Sequence, residues 1–154
     1  MKKIVYLHGL ESSQGGKKVE FLSTQGMVYA PAMDYKTLNL DKFIDTLGMP
    51  DLIIGSSMGG YVADIIGSHL SVDVLLFNPA FHSRTFELNF PLKHGNCKYN
   101  RIVVLGKNDD TISPEVTKLL LNSNDQVKEI EGMGHRTPLS VFTDICIKNI
   151  LNYD

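Results

Sequence analysis

The stretch Leu52-Ile53-Ile54-Gly55-Ser56-Ser57-Met58-Gly59-Gly60-Tyr61 (LIIGSSMGGY) sets two adjacent serines between glycines, after one apolar run and before another. The first run has the length and make-up of a buried strand, and Met58, Tyr61, Val62, Ile65 and Ile66 keep a helical period beyond the turn. A phosphate loop needs Gly, four residues, then Gly-Lys-Ser/Thr. Gly55 and Gly60 have that separation, but Tyr61 stands where the lysine belongs. Gly15-Gly16-Lys17 lacks the upstream glycine, and no Gly-x-Gly-x-x-Gly follows the first apolar run. A nucleophile elbow needs Gly-x-Ser-x-Gly between strand and helix, and Gly55-Ser56-Ser57-Met58-Gly59 supplies it with Ser57 at the centre. Side chains two positions either side of such a serine would strike the neighbouring strand and helix. Ser56 lacks that flanking pattern.

Outward from the elbow, short apolar runs alternate with helical patterns. KIVYLH (3–8), MVYAP (27–31), DLIIG (51–55), VDVLLFNP (72–79), RIVVLG (101–106) and QVKEI (126–130) read as strands. Residues 16–25, 37–48, 113–122 and 138–152 read as helices; Gly48 stops the second, and Ser113-Pro114-Glu115 opens the third as N-cap, first position and acidic first turn. Strand–helix alternation predicts an α/β fold, a mainly parallel sheet of about six strands covered on both faces, with functional loops at the strands' carboxyl ends.

A serine hydroxyl needs a base, and the base needs an orienting carboxylate. Asp109 and Asp110 lie just past a strand end, and His135 sits in a glycine-flanked loop before the last helix. The order Ser57, Asp109, His135 is that of α/β-hydrolases, not of chymotrypsin or subtilisin folds. The backbone N–H groups of Met58, at the helix start, and Leu10, in the loop after the first strand, are the expected oxyanion donors, with Gly9 letting the backbone approach. His8 is expected to shape that loop.

Composition narrows the partners. The chain has 154 residues, 43% hydrophobic and 21% charged, which suits one domain over residues 1–154. A net charge of −2 offers no bulk attraction for nucleic acid or an anionic membrane. The apolar run near the N-terminus breaks at His8-Gly9, too short for a signal peptide or membrane span, so a cytoplasmic location is expected. Two cysteines form no disulfide framework.

Together, IVYLHGLESS, IIGSSMGGYVA, LFNPA, VLGKNDDTI and GMGHR resemble the YqiA-like group of small bacterial esterases in the α/β-hydrolase superfamily. The resemblance runs from residue 4 to the closing helix. It implies a three-layer α/β-hydrolase fold with a minimal cap, and a serine esterase or thioesterase that acts on small acyl substrates without metal or cofactor. The superfamily pattern Gly-x-x-Asp-x-x-Val/Ile aligns Gly106, Asp109 and Ile112, which selects Asp109; Asp110 stands as the one-residue alternative. An inactive α/β-hydrolase-like binding protein, an amidase and an acyltransferase stay open, as does the oligomeric state.

Lesser features carry weaker expectations. Phe81, Phe86, Leu88, Phe90 and Leu92 either line an acyl pocket, with Phe81 and Phe86 as substrate-binding candidates, or pack a loop on the core. His94 and Cys97 read as an incidental loop pair, Cys146 as a small buried hydrophobe, and Lys17 and Lys18 as a solvated helix face; Arg136 either is solvent-exposed or contacts a substrate carboxylate or phosphate.

Overall fold

The computed structural model describes residues 1–10, 14–85, 87–88 and 98–150; Phe86, Phe90, Leu92, His94 and Cys97 lie outside them. Six strands form one sheet: β1 (Lys3–Leu7), β2 (Met27–Tyr29), β3 (Leu52–Ser56), β4 (Val74–Phe77), β5 (Arg101–Gly106) and β6 (Gln126–Ile130). Their spatial order is β2-β1-β3-β4-β5-β6, and every neighbouring pair is parallel. The helices are α1 (Lys17–Ser23), α2 (Leu40–Leu47), α3 (Met58–Leu70), α4 (Pro114–Leu119) and α5 (Leu139–Ile150).

Period-two alternation along each strand divides the core. Val5, Leu7, Ile53, Val74, Leu76, Val103 and Leu105 pack with Leu40 and Ile44 of α2 and Val62, Ala63 and Ile66 of α3. The residues between them (Ile4, Tyr6, Leu52, Ile54, Leu75, Phe77, Ile102 and Val104) pack with Leu22 of α1 and Phe142, Ile145, Cys146 and Ile150 of α5. The central strands are buried on both faces, which explains their continuous apolar runs. The edges differ: β2 and β6 are largely exposed, and Lys118 reaches Glu129 on β6 at 2.7 Å.

Helix ends follow local chemistry more than apolar period. The second helix begins at Leu40, not residue 37, because Asn39 caps it by accepting from the Lys42 N–H at 3.1 Å; Gly48 ends it at φ 63°. The α4 helix is short, 114–119, and Ser113 caps it through the Val116 N–H.

Beneath the carboxyl-end loops, Arg101 at the start of β5 binds Asp125 through Nε and Nη2 (3.0 and 2.6 Å) and Asp64 of α3 through Nη1 (3.0 Å). Tyr99 donates to the other Asp64 oxygen at 2.9 Å. Burial pushes the Asp64 carboxyl up, opposed by the adjacent guanidinium and the Tyr99 hydroxyl. This network joins a helix, a strand and a loop that sequence spacing does not connect.

Candidate active site

The sheet order reverses direction between β1 and β3, and in open parallel sheets such a switch point leaves a crevice at the carboxyl ends. Ser57 follows β3 directly, at φ 54° and ψ −118°, a strained conformation for a residue with a side chain. The flanking glycines have a steric reason. A Cβ on Gly55 would lie 2.3 Å from the Gly59 carbonyl oxygen, and one on Gly59 would lie 2.1 Å from the Leu7 carbonyl oxygen. Strand and helix therefore close on the turn from both sides. Behind it, the Ser57 N–H donates to the Phe77 carbonyl at 3.0 Å, and its own carbonyl accepts from Gly60, Tyr61 and Ala80.

The Ser57 Oγ lies 2.9 Å from His135 Nε2, and His135 Nδ1 lies 2.9 Å from Asp109 Oδ2. A carboxylate only accepts, so Nδ1 carries the proton and Nε2 is left to accept from the serine hydroxyl. The Asp109 carboxylate is fully buried, while the imidazole is partly open to the cleft. The other oxygen of Asp109 accepts from the N–H groups of Thr111 and Ile112, both at 2.9 Å, which fixes the carboxylate in a tight turn. Asp110 is exposed, its carboxylate meeting, among the described residues, only the Thr111 hydroxyl at 3.4 Å. The carboxylate that meets the imidazole is that of Asp109.

Asn78, a residue the sequence did not single out, ties these loops together. It is buried at the end of β4 in the left-handed region, φ 43°. Its Oδ1 accepts from the Gly106 N–H at 2.8 Å, and its Nδ2 donates to the carbonyls of His135 (2.8 Å) and Gly134 (3.2 Å). One amide thus positions the acid loop against the histidine loop. Its sequence signal is an asparagine at a strand end before proline, within the LFNPA stretch that shares in the family resemblance.

The loop after β1 lies against the elbow: a Cβ on Gly9 would sit 3.4 Å from that of Ser57. His8 organises this loop. Its Nε2 accepts from the Met33 N–H at 2.9 Å, so its Nδ1 donates to the Gly9 carbonyl at 2.7 Å. The Tyr35 hydroxyl donates to the His8 carbonyl.

Ser57 opens onto a cleft of about 780 Å³. Gly9, Leu10, Met58 and His135 line it, as do Lys18 and Arg136. Two expectations need correction. Phe81 does not line the cleft; it packs on the α2–α3 side of the core, with the Arg101 guanidinium 5.4 Å from its ring centroid. The loop direction that turns it inward leaves no periodic trace in sequence. Lys18 is not a solvated residue: it is half-buried above the Phe142 ring, whereas Lys17 is exposed. Arg136 is exposed at the cleft wall. Among the described residues, no three His, Cys, Asp or Glu side chains are grouped to hold a metal, and no helix is long and apolar enough to cross a membrane.

The fold is similar to that of a monoacylglycerol lipase from Paleococcus ferrophilus (TM-score 0.75, 17% identity, 99% of this chain and 95% of that one). It is likewise similar to the esterase domain of a Rhodothermus marinus protein (TM-score 0.67, 14% identity, 94% and 82%). A third likeness is to an α/β serine hydrolase homologue from Coxiella burnetii (TM-score 0.67, 13% identity, 99% and 85%). At such identities the likeness establishes the α/β-hydrolase fold, not the reaction. No curated protein matches the chain by sequence. The model of the uncharacterised protein family UPF0227 matches residues 3–128, a span that contains Ser57 and Asp109 and stops short of His135. The chain belongs to that family, the YqiA-like group that its motifs resemble, and folds as an α/β-hydrolase.

Proposed function

We propose that the protein is a serine hydrolase that cleaves carboxylic ester or thioester bonds of acyl substrates. The observation that carries this reading is the continuous chain from Ser57 Oγ through His135 to the buried Asp109, each link 2.9 Å. The esterase and lipase names of two structural neighbours support it.

In this mechanism His135 Nε2 takes the Ser57 proton as Oγ attacks the carbonyl carbon. The oxyanion forms against the N–H groups of Met58 and Leu10; such donors contribute about 10²–10³ in turnover. Met58 opens α3, where the first amides have no intrahelical acceptor and the helix dipole favours negative charge. The tetrahedral adduct collapses, the carbon–oxygen or carbon–sulfur bond breaks, and His135 gives its proton to the leaving group. Water, deprotonated by the same imidazole, then releases the acid and restores Ser57. Asp109 holds the imidazole tautomer and stabilises its charged form.

The test is a panel of 4-nitrophenyl acyl esters, acyl thioesters and anilides, assayed with wild-type and Ser57→Ala protein. Ester or thioester turnover that falls by about 10⁴ or more in Ser57→Ala supports the reading. Equal turnover in both proteins would sink it, and preferred anilide cleavage would make the protein an amidase.

A further inference from the structure

The cleft does not end at Ser57. Ser56, the preceding residue, points to the opposite face of the sheet, the side packed by α1 and α5, where period two also places Ile54 and Tyr6. Tyr6, Ser56 and Lys18 all line the cleft on this side. The Ser56 Oγ is buried and, although Tyr6 lies close, completes no hydrogen bond among the described residues. Lys18 reaches in from the first turn of α1, its ammonium 5.3 Å from the centroid of the Phe142 ring.

The charge balance here is one-sided. The described residues lining the cleft include Lys18, Arg84 and Arg136 and no aspartate or glutamate. Arg84 is already neutralised by both oxygens of Glu87, each at 2.7 Å. Lys18 meets no carboxylate among the described residues. Burial lowers its pKa, a sign that its charge is incompletely solvated. Among the described residues, the titratable groups buried on this side of the sheet offer no counter-charge near neutral pH: burial raises the Tyr6 hydroxyl and pushes the Cys146 thiol up to about 12, so both stay protonated. A half-buried cation that shares a cleft wall with two hydroxyl groups is costly empty and well suited to an oxyacid.

We propose that Lys18, Tyr6 and Ser56 form an anion subsite that receives a carboxylate or phosphate group of the substrate, beside the carbonyl that Ser57 attacks. This deepens the hydrolase reading and rests on it. The preferred substrates are then esters or thioesters with a charged end, in place of plain long-chain acyl esters. Lys18 supplies the charge, and the hydroxyls donate to the oxygen atoms.

Two ester pairs place the anion on either half of the substrate: 4-nitrophenyl hemiglutarate against 4-nitrophenyl pentanoate, and 4-acetoxybenzoate against its methyl ester. In at least one pair wild type favours the anionic member, and Lys18→Met lowers the anionic-to-neutral ratio of kcat/KM by about tenfold or more, while Lys18→Arg restores part of it. The pair that responds identifies the half that enters the subsite. A ratio unmoved by Lys18→Met in both pairs overturns the proposal.

Binding separates this failure from failure of the hydrolase reading. Glutarate and inorganic phosphate are titrated by NMR into folded Ser57→Ala protein and into the Ser57→Ala/Lys18→Met double variant. At least one anion binds, about tenfold more weakly to the double variant, whether or not any ester is turned over. No binding of either, or equal binding to both proteins, overturns the subsite even where esters are cleaved.

Discussion

At the scale of the residue, the pattern that aligns Gly106, Asp109 and Ile112 picks one of two adjacent aspartates, and the backbone amides that hold it are what the pattern does not display. Asp109 and Asp110 occupy consecutive positions, but only Asp109 is fixed by the Thr111 and Ile112 N–H groups with its second oxygen on His135. Asp109→Asn is therefore expected to reduce kcat by about 10⁴, the cost of the wrong imidazole tautomer, and Asp110→Asn to stay within about threefold of wild type. Ester turnover by the two variants, with folding checked by circular dichroism, tests this. Asn78 makes a second case. Asn78→Ala leaves the buried Gly106 N–H without its acceptor and two carbonyls without their donor, a loss of about 1–3 kcal/mol in urea unfolding. Because Asn78 holds the histidine loop and touches no substrate, kcat should fall more than KM rises.

At the scale of the element, the strand–turn–helix of β3 and α3 is where sequence and structure agree most closely. Its glycines are required by contacts on both sides, so a short pattern encodes a three-dimensional constraint. Gly59→Ala forces a Cβ onto the Leu7 carbonyl oxygen and should cost at least about 2 kcal/mol in urea unfolding. Gly15→Ala, where a Cβ would meet nothing within 4 Å, should stay within about 1 kcal/mol. The strands were legible because burial on both faces writes continuous apolar runs such as RIVVLG. Helix starts were less so: Leu38 shares the apolar period of the second helix yet precedes its cap at Asn39. The sequence left Phe81 between pocket and core, and Lys18 was misread, for a related reason. Whether a loop phenylalanine turns to the core, or one of two neighbouring lysines turns inward, depends on tertiary packing.

At the scale of the whole molecule, the reversal of strand order places the loop after β1 beside the elbow after β3, while β4, β5 and the loop after β6 bring Asn78, Asp109 and His135 to the same end. Period, turn chemistry and residue order were enough to expect this layout, but not the polar ties across it. Arg101 is one such tie, binding Asp64 and Asp125 from a mostly buried position. Arg101→Met removes the cation and leaves two poorly solvated carboxylates, a loss of about 3–5 kcal/mol that thermal or urea unfolding would record.

The central claim is that Ser57 is an activated nucleophile, and peptide mapping after treatment with a fluorophosphonate tests it most directly. The folded wild-type protein is predicted to carry one adduct, on Ser57, and His135→Ala protein to carry almost none under the same conditions. An adduct on Ser56 instead, or none on folded wild-type protein, would contradict the account.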